Sequence, residues 1–314
     1  MTTVESRASA AADPMEEQRA FRDALFSAGL LLPTGVEGLY LRSDTFESIV
    51  QAIDAVVSRA AADEGAAAYH FPLVVPAVLL EKTDYIRSFP ELIASLNSYG
   101  GGESGYGDLL AAADRGQWQE ALAPTGLGLC SAACHPLYPV LAGQTVPAEG
   151  RKFEIVGQCF RHEPSPDPAR MQTFRQHEVV YVGDAAGARA HRDRWVERGL
   201  ALHRRLGLEV EAVVANDPFF GRAGDLLAAN QRADALKIEL VAPVSAEESL
   251  TAITSANCHL EHFGEAFGIR GAGGGPAHSA CVGFGVERVA LALLAAHGLV
   301  PARWPAGVRR ELGW

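Results

Sequence analysis

No stretch of this 314-residue chain is apolar for long enough to cross a bilayer. The longest uninterrupted run, Val289 to Ala296, falls far short of the roughly 20 residues a membrane helix needs. The segment Met1 to Pro14 is rich in alanine and serine and lacks the apolar centre of a secretory leader, so no membrane role is expected. Cysteine is scarce: Cys130, Cys134, Cys159, Cys258 and Cys281 are odd in number, scattered, and include no Cys-x-x-Cys pair. That usage excludes a disulfide framework and suits a reducing compartment, so the expected location is the cytoplasm. Positive charge is also short, with 27 Lys and Arg against 38 Asp and Glu and a net charge of −11. Such a chain repels phosphate backbones at long range, which counts against nucleic acid, tRNA included, as a partner. Internal repeats and a clear linker are absent as well.

What is present fits a folded enzyme. Hydrophobic residues make up 48% and charged residues 21%, enough to bury a substantial core. With 32 glycines and 17 prolines the chain must turn often, as an α/β or α+β protein does. Residues 1–15 read as a flexible tail and 16–314 as one domain. Glu16 to Leu30 has the apolar spacing of a short helix ending near Gly29. Asp44 with Glu47 reads as a capping pair for a second helix. Its Phe46, Ile49, Val50, Ile53, Val56 and Val57 fall on one face, and it stops at Gly65. Tyr69 to Val75 then reads as a buried strand closed by Pro76, and residues 98–107, with four glycines, as a flexible loop. From Lys152 to Gly183 two strand-like stretches flank a loop carrying Pro164, Pro166 and Pro168, the pattern of a long antiparallel hairpin.

The side chains on that hairpin suggest chemistry. Arg161 and Glu163 share strand parity, as do Phe174, Gln176 and Glu178. One sheet face would then offer a cation, an aromatic platform and carboxylates, although solvated charges on an exposed strand make the same pattern. A third element, Gly283-Phe284-Gly285-Val286-Glu287-Arg288, leads into the apolar helix Val289 to Ala296, with Gly298 at its C-terminal cap. Backbone N–H groups and Arg288 at that helix start would suit a phosphate.

Together these residues resemble the class II aminoacyl-tRNA synthetases. The helix, strand and Pro76 look like motif 1, Phe160-Arg161-His162-Glu163 through Phe174-Arg175 like motif 2, and Gly283 to Arg288 like motif 3, in the required order over residues 44 to 296. The core is similar to that of the atypical zinc-containing seryl-tRNA synthetases. The segment before Asp44 is short and lacks the heptads of their tRNA-binding arm. With Ala132-Ala133-Cys134-His135-Pro136, Arg161-His162-Glu163-Pro164-Ser165 and Asn216-Asp217-Pro218-Phe219-Phe220-Gly221-Arg222, the chain looks like the bacterial amino acid:[carrier protein] ligases.

That resemblance implies an α+β fold, an antiparallel sheet flanked by helices with motif 1 at a homodimer interface. It also implies a two-step reaction. ATP converts a small amino acid, glycine or alanine, to aminoacyl-adenylate, and the phosphopantetheine thiol of a carrier protein then takes the aminoacyl group. In this scheme Arg161 binds the α-phosphate and the substrate carboxylate, and Arg161 and Arg288 carry catalysis. Glu163 binds the adenine side, Phe174 stacks on adenine, Arg170 and Arg288 hold the outer phosphates, and Met171 lines the nucleotide site. Arg175 reads instead as a structural salt-bridge partner. Ala252, Ile253, Thr254 and Ser255 fall where the synthetases hold ATP and Mg2+, but Ala252 stands in place of their leading acid, which leaves Glu239 and Ser255 as substitute Mg2+ ligands.

Cys134, Glu178 and Cys281 are implied as ligands of a Zn2+ that takes the substrate amine, with Glu178 also touching substrate. Two thiolates and a carboxylate leave one open tetrahedral position. Cys130-x-x-x-Cys134-His135 is a local alternative. Two basic stretches compete as the docking surface for an acidic carrier protein, Arg189 to Arg205 and Phe219 to Lys237. Two other readings stay open. One is the same chemistry with another acceptor, as in an armless aminoacyl-tRNA synthetase; the other is a non-catalytic amino-acid sensor. Arg161, Phe174 and Arg288 together favour catalysis over the sensor.

Overall fold

A computed structural model describes residues 13–217, 229, 231, 234–246 and 249–314. Helix α1 (Pro14–Ser27) is capped by Asp13, whose carboxylate accepts from the Met15 N–H. It therefore begins inside the stretch expected to be tail, and residues 1–12 lie outside the described residues. A small hairpin, β1 (Leu31–Pro33) and β2 (Tyr40–Arg42), leads to α2 (Asp44–Ala61). The cap of α2 is Ser43, whose Oγ accepts from the Phe46 N–H, rather than Asp44 with Glu47; Glu47 is spent on Arg175. The apolar stripe on α2 is buried as its spacing requires. A short 3-10 turn follows and ends at Gly65, whose φ of 64° is open to glycine at no steric cost.

The Tyr69–Val75 segment is not one buried strand. It divides into β3 (Ala67–Phe71) and β4 (Val74–Pro76), which join different sheets. Strand β3 lies at a sheet edge with its side chains exposed or half-buried. Helices α3 (Ala77–Lys82) and α4 (Tyr85–Ser88) follow, then β5 (Ser95–Tyr99), α5 (Tyr106–Asp114), β6 (Leu122–Leu129) and α6 (Leu137–Leu141). The glycine-rich loop is thus shorter than expected, since β5 and α5 occupy both its ends. Next come β7 (Arg151–Phe160), β8 (Thr173–Gly183), α7 (Ala185–Arg205), β9 (Glu211–Ala215), β10 (Lys237–Ala246) and β11 (Ser249–Leu260). Last are α8 (His262–Phe267), β12 (His278–Gly285), α9 (Val286–His297) and α10 (Ala306–Glu311).

The main sheet has seven strands in the order β3-β7-β8-β12-β11-β10-β9. All its pairings are antiparallel except β3 with β7. The β7–β8 hairpin pairs Arg151 with Val182 through Phe160 with Thr173, as its sequence pattern requires. A second sheet, β4-β6-β5, stands beside it. Strand alternation divides the core in two. Val179, Val282 and Phe284 pack with α2, α7 and α9 on one face, whereas Val180, Val182 and Cys281 pack with α6, α8 and the 130–134 segment on the other. No described helix is long and apolar enough to cross a membrane.

Two histidines on the inner face of α7 are wholly buried. His191 Nε2 lies 3.1 Å from the Val179 carbonyl and His203 Nε2 lies 2.8 Å from the Thr254 hydroxyl. Burial lowers their pKa values to about 4 and about 3, so both are neutral in the fold, while an unfolded chain takes up their protons near pH 6.5. Their contribution to stability is therefore complete above that pH and is lost as pH falls toward 3 to 4. Denaturant unfolding is expected to show stability about 2 kcal/mol lower per histidine at pH 5 than at pH 7.5. His203→Gln should flatten that dependence, and an unchanged slope would rule His203 out as a source.

Candidate active site

The face of the main sheet that is free of α2, α7 and α9 carries the residues of interest. On β8, Phe174, Gln176 and Glu178 do share this face, while Arg175 and His177 point to the helices. Gln176 Oε1 accepts from the Ala133 N–H at 3.0 Å and from the Cys159 thiol at 3.2 Å. This bond pins the 130–134 segment over the strand. The pinned segment then delivers two groups: the Ser131 carbonyl, which accepts from Arg161 Nε at 3.1 Å, and Cys134, whose N–H reaches Glu178 Oε1 at 3.3 Å.

Arg161 and Glu163 do not owe their placement to strand parity, because β7 ends at Phe160. The Arg161 N–H still donates to the Gln172 carbonyl at 2.9 Å, and its guanidinium lies 5.4 Å from the Phe174 ring centroid. Arg288 is held by backbone, with Nε on the Ala169 carbonyl at 2.8 Å and Nη1 on the Ala252 carbonyl at 3.0 Å. Burial first, then the like charges of Arg161 and Arg170, press its pKa down. Arg288 thus sits close to two further cations, Arg161 and Arg170, a grouping that suits a polyanion. Arg170 and Glu163 form an ion pair, 52% and 36% exposed, and a pair this open costs little to separate.

The 252–255 stretch is divided by a register shift with β10 that leaves Ile253 as the extra residue. The side chains of Ile253 and Thr254 face the helix layer, with Thr254 on His203. They cannot act on ATP through side chains, and Ala252 contributes its carbonyl to Arg288. Ser255 faces the cleft, where it accepts from Asn257 Nδ2 at 3.1 Å. It is registered opposite Glu239 of β10 and Gly283 of β12. Met171 is buried against Arg42, whose Nη2 is 3.8 Å from its sulfur.

The donor atoms of Cys134, Glu178 and Cys281 lie within 4.8 Å of one another, and all three residues are buried. Gly283, across from Glu178, leaves the room this requires, since a Cβ there would stand 3.2 Å from Glu178 Cγ. The pKa of Cys134 is raised by its hydrogen bond to the Cys281 thiol and by burial, and that of Glu178 by burial. Among the described residues, the buried Glu178 Oε2 finds no hydrogen-bond partner. Two thiols and an orphaned carboxylate oxygen converging in a buried place suit a thiophilic divalent cation. The local alternative does not assemble. Cys130 donates to the Ala132 carbonyl and is pushed up to about 12 by burial, and His135 packs against Tyr85 and Phe263.

Several residues near the cleft were not singled out from sequence. Asp217, read only as part of a motif, bonds Gln231 and Lys237. Burial opposes its ionisation, but the charge of Lys237, the hydrogen bonds from Gln231 and Lys237 and the charge of Arg161 together keep the pKa low. Lys237 is therefore no docking residue: it is 8% exposed and is tied to Asp217 and Glu239. Pro218 to Arg222 and Arg232 lie outside the described residues. The other basic stretch is largely neutralised within the chain: Arg192 pairs with Asp193, Arg194 and Arg198 with Glu64, and Arg205 with Glu311. Asn257 and His259, which continue the cleft-facing alternation of Ser255 along β11, approach Cys281 Sγ at 3.8 and 3.5 Å. That alternation was the available signal for them.

Behind the site, Arg175 is structural as expected. It makes two bonds to Glu47, at 2.7 and 2.8 Å, and meets the buried Glu287 through Nε at 2.8 Å and through its backbone N–H at 2.7 Å.

No protein-family model matches the chain. The amino acid--[acyl-carrier-protein] ligase 2 of Bradyrhizobium diazoefficiens is 41% identical over 304 residues, covering 96% of this chain and 88% of that protein. Ligase 1 of the same organism is 39% identical over 307 residues, covering 96% and 90%. Among solved structures, M. kandleri SerRS in complex with A. aeolicus tRNASec superposes with a TM-score of 0.79 at 23% identity. The match covers 99% of this chain and 62% of that one, so the chain spans less than two thirds of the synthetase. The fold is thus that of the class II synthetases.

Glu287→Ala would leave Arg175 and Arg42 facing a hole where their carboxylate stood. It is expected to cost about 3–5 kcal/mol in denaturant unfolding, and a loss below about 1 kcal/mol would show that the network is not stabilising in the way described.

Proposed function

The chain belongs to the amino acid–[acyl-carrier-protein] ligase family, an enzyme family that joins an amino acid to a carrier protein, and we propose that it does so through an aminoacyl-adenylate of glycine or alanine. The observation that carries this reading is the pairing of two opposite sites on one sheet face, an arginine cluster and an acid–thiol cluster, with Arg161 within electrostatic reach of Glu178. A free amino acid has matching ends, a carboxylate for Arg161 and an amine for the other cluster.

In the first step a carboxylate oxygen bonds to the α-phosphorus of ATP and the bond to pyrophosphate breaks. Both reactants are anionic, so Arg161 and Arg288 bring them together and stabilise the charge that builds up. Phe174 supplies the adenine platform, Met171 a buried wall, and Arg170 a phosphate contact once its pair with Glu163 opens. Glu239 and Ser255, opposite each other on adjacent strands, are offered as hard ligands for Mg2+, with Lys237 competing for Glu239. In the second step the phosphopantetheine sulfur bonds to the acyl carbon, AMP leaves, and the thiol proton is released.

Cys134, Glu178 and Cys281 would hold Zn2+, which when bound supplies a Lewis-acid position for the substrate amine. Tyr138 and His259 crowd the Cys281 side of this cluster, which supports a small side chain on the substrate. Val74, Val78 and Leu127, exposed around β4 and β6, support a homodimer formed through motif 1. Five free cysteines support a cytoplasmic setting.

Labelled glycine or alanine, incubated with ATP, should appear as a thioester on a phosphopantetheine-bearing carrier protein and not on bulk tRNA; label on tRNA instead would replace this reading with an armless synthetase. Arg161→Ala and Arg288→Ala are expected to lower amino-acid-dependent pyrophosphate exchange by about 10²–10³-fold or more in folded protein, and near-normal exchange would remove their assigned roles. Metal analysis should find zinc in the wild type and in Cys130→Ala but not in Cys134→Ala or Cys281→Ala. Zinc lost in Cys130→Ala but kept in Cys281→Ala would move the site to the local Cys130-Cys134-His135 cluster.

A further inference from the structure

Strand β11 carries an irregularity beside Cys281. Its register with β12 is regular from Thr254 opposite Phe284 to Cys258 opposite Ala280, then shifts so that Leu260 stands opposite Ser279. His259 is the extra residue, and Leu260 after it has a φ of 52°, a left-handed conformation that a branched side chain rarely adopts. A bulge of this kind re-aims the side chain it carries. Here it directs the His259 ring between two strand neighbours: Nδ1 is 2.9 Å from Ser279 Oγ and 3.4 Å from Tyr138 Oη, while Nε2 is 3.5 Å from Cys281 Sγ. The ring is held edge-on to Phe263, with centroids 4.8 Å apart and planes at 72°, and edge-on to Tyr138 at 89°. Nothing in the proposed reaction uses it.

We propose that His259 is a positioning residue that donates its Nε2–H to the Cys281 sulfur, and so fixes how that sulfur meets a metal ion. The proposal rests on the metal reading of Cys134, Glu178 and Cys281. A metal-bound thiolate has no proton and can only accept, so the proton between the two groups belongs to Nε2. Nδ1 of the neutral ring is then bare and accepts from the Ser279 hydroxyl. The order Ser279 O–H to Nδ1, then Nε2–H to Sγ, gives each ring nitrogen its nearer partner, with Tyr138 Oη farther from Nδ1 than Ser279 Oγ. Charge gives it a reason. Two thiolates and one carboxylate exceed a divalent ion by one negative charge in a buried place, and N–H donors from His259, Asn257 and the Cys134 backbone spread that excess.

The test uses the full-length protein as wild type, His259→Phe and His259→Gln, each loaded with zinc and titrated against a chromogenic chelator, and each also loaded with cobalt for its absorption spectrum. His259→Phe keeps the ring packing and removes the donor. It should bind zinc about 10-fold or more weakly, and its thiolate-to-cobalt charge-transfer band should move to longer wavelength because the sulfur loses a hydrogen bond. His259→Gln offers an amide N–H near the place of Nε2 and should regain most of the affinity and the band position. If His259→Phe does not fold, Ser279→Ala carries the test, since loss of the hydroxyl that orients Nδ1 should weaken zinc binding and shift the band the same way. Wild-type affinity and spectrum in His259→Phe, or an equal loss in Phe and Gln variants, would overturn the proposal while leaving the metal site intact. Zinc uptake unaffected by Cys281→Ala would instead overturn the metal reading, and this inference with it.

Discussion

The active face depends on a carboxylate that never meets it. Glu287 is almost completely buried, 1% exposed, and accepts from the Arg175 backbone and guanidinium and from Arg42 at 3.0 Å. Burying such charges is expensive unless every one is paired, and here the pairing is tight: Arg175 also forks onto Glu47 of α2. Glu287 therefore joins β8, the start of α9 and β2, and through Arg175 and Glu47 the tie extends to α2. Its sequence neighbour is Arg288, and the neighbour of Arg175 is Phe174. Because successive strand residues face opposite sides, fixing Arg175 behind the sheet fixes Phe174 in front, and fixing Glu287 sets the turn from which Arg288 reaches the Ala169 and Ala252 carbonyls.

The same economy governs the other end of the cleft. Gln176 lies one step along the cleft-facing alternation from Phe174, and a single amide oxygen there holds the segment that delivers both the Ser131 carbonyl to Arg161 and Cys134 to Glu178. The arginine cluster and the acid–thiol cluster are thus coupled through one short segment rather than built on independent loops. Rigid strands carry Glu178 and Cys281, and only the Cys134 arm depends on this tether. Precise placement of reacting groups needs such support, because a displacement of about 1 Å at the reacting centre costs far more rate than the tether's own energy suggests.

How much of this was legible in the sequence depended on the distance over which a signal acts. Local periodicity marked α2, the β7–β8 hairpin and the helix after Gly285, because burial on one face writes a pattern within a dozen residues. It also marked the shared face of Phe174, Gln176 and Glu178. It misread Tyr69–Val75 as one strand, although Pro72 stands where the chain leaves one sheet for the other after Phe71. Strand parity could not reach Arg161 and Glu163, which stand just past the end of β7, and it left Thr254 and Ser255 unseparated, although one faces His203 and the other the cleft. Lys237 looked like surface charge because Asp217, just past β9, is brought to it by the pairing of β9 with β10, while Glu239 lies two residues along its own strand. Cys134, Glu178 and Cys281 are scattered over the chain, and only resemblance to known motifs joined them before the fold did. The bulge at His259 has no sequence signature of its own.

The chain's charge adds a last step. A net charge of −11 surrounds a site in which Arg161 and Arg170 lie close enough to Arg288 to disfavour its charge. In the proposed reaction a triphosphate would relieve that repulsion and so bind more tightly than the overall charge alone allows. At the opposite end, Glu178 and the two thiols gain by accepting a cation. In the proposed reaction the amino acid spans both ends, and each end rejects the wrong half of it: a reversed amino acid would set its amine against guanidinium groups and its carboxylate against Glu178. Orientation is then a matter of sign before it is one of shape, which is how a substrate as small as glycine, with no side chain to grip, can still be held one way round.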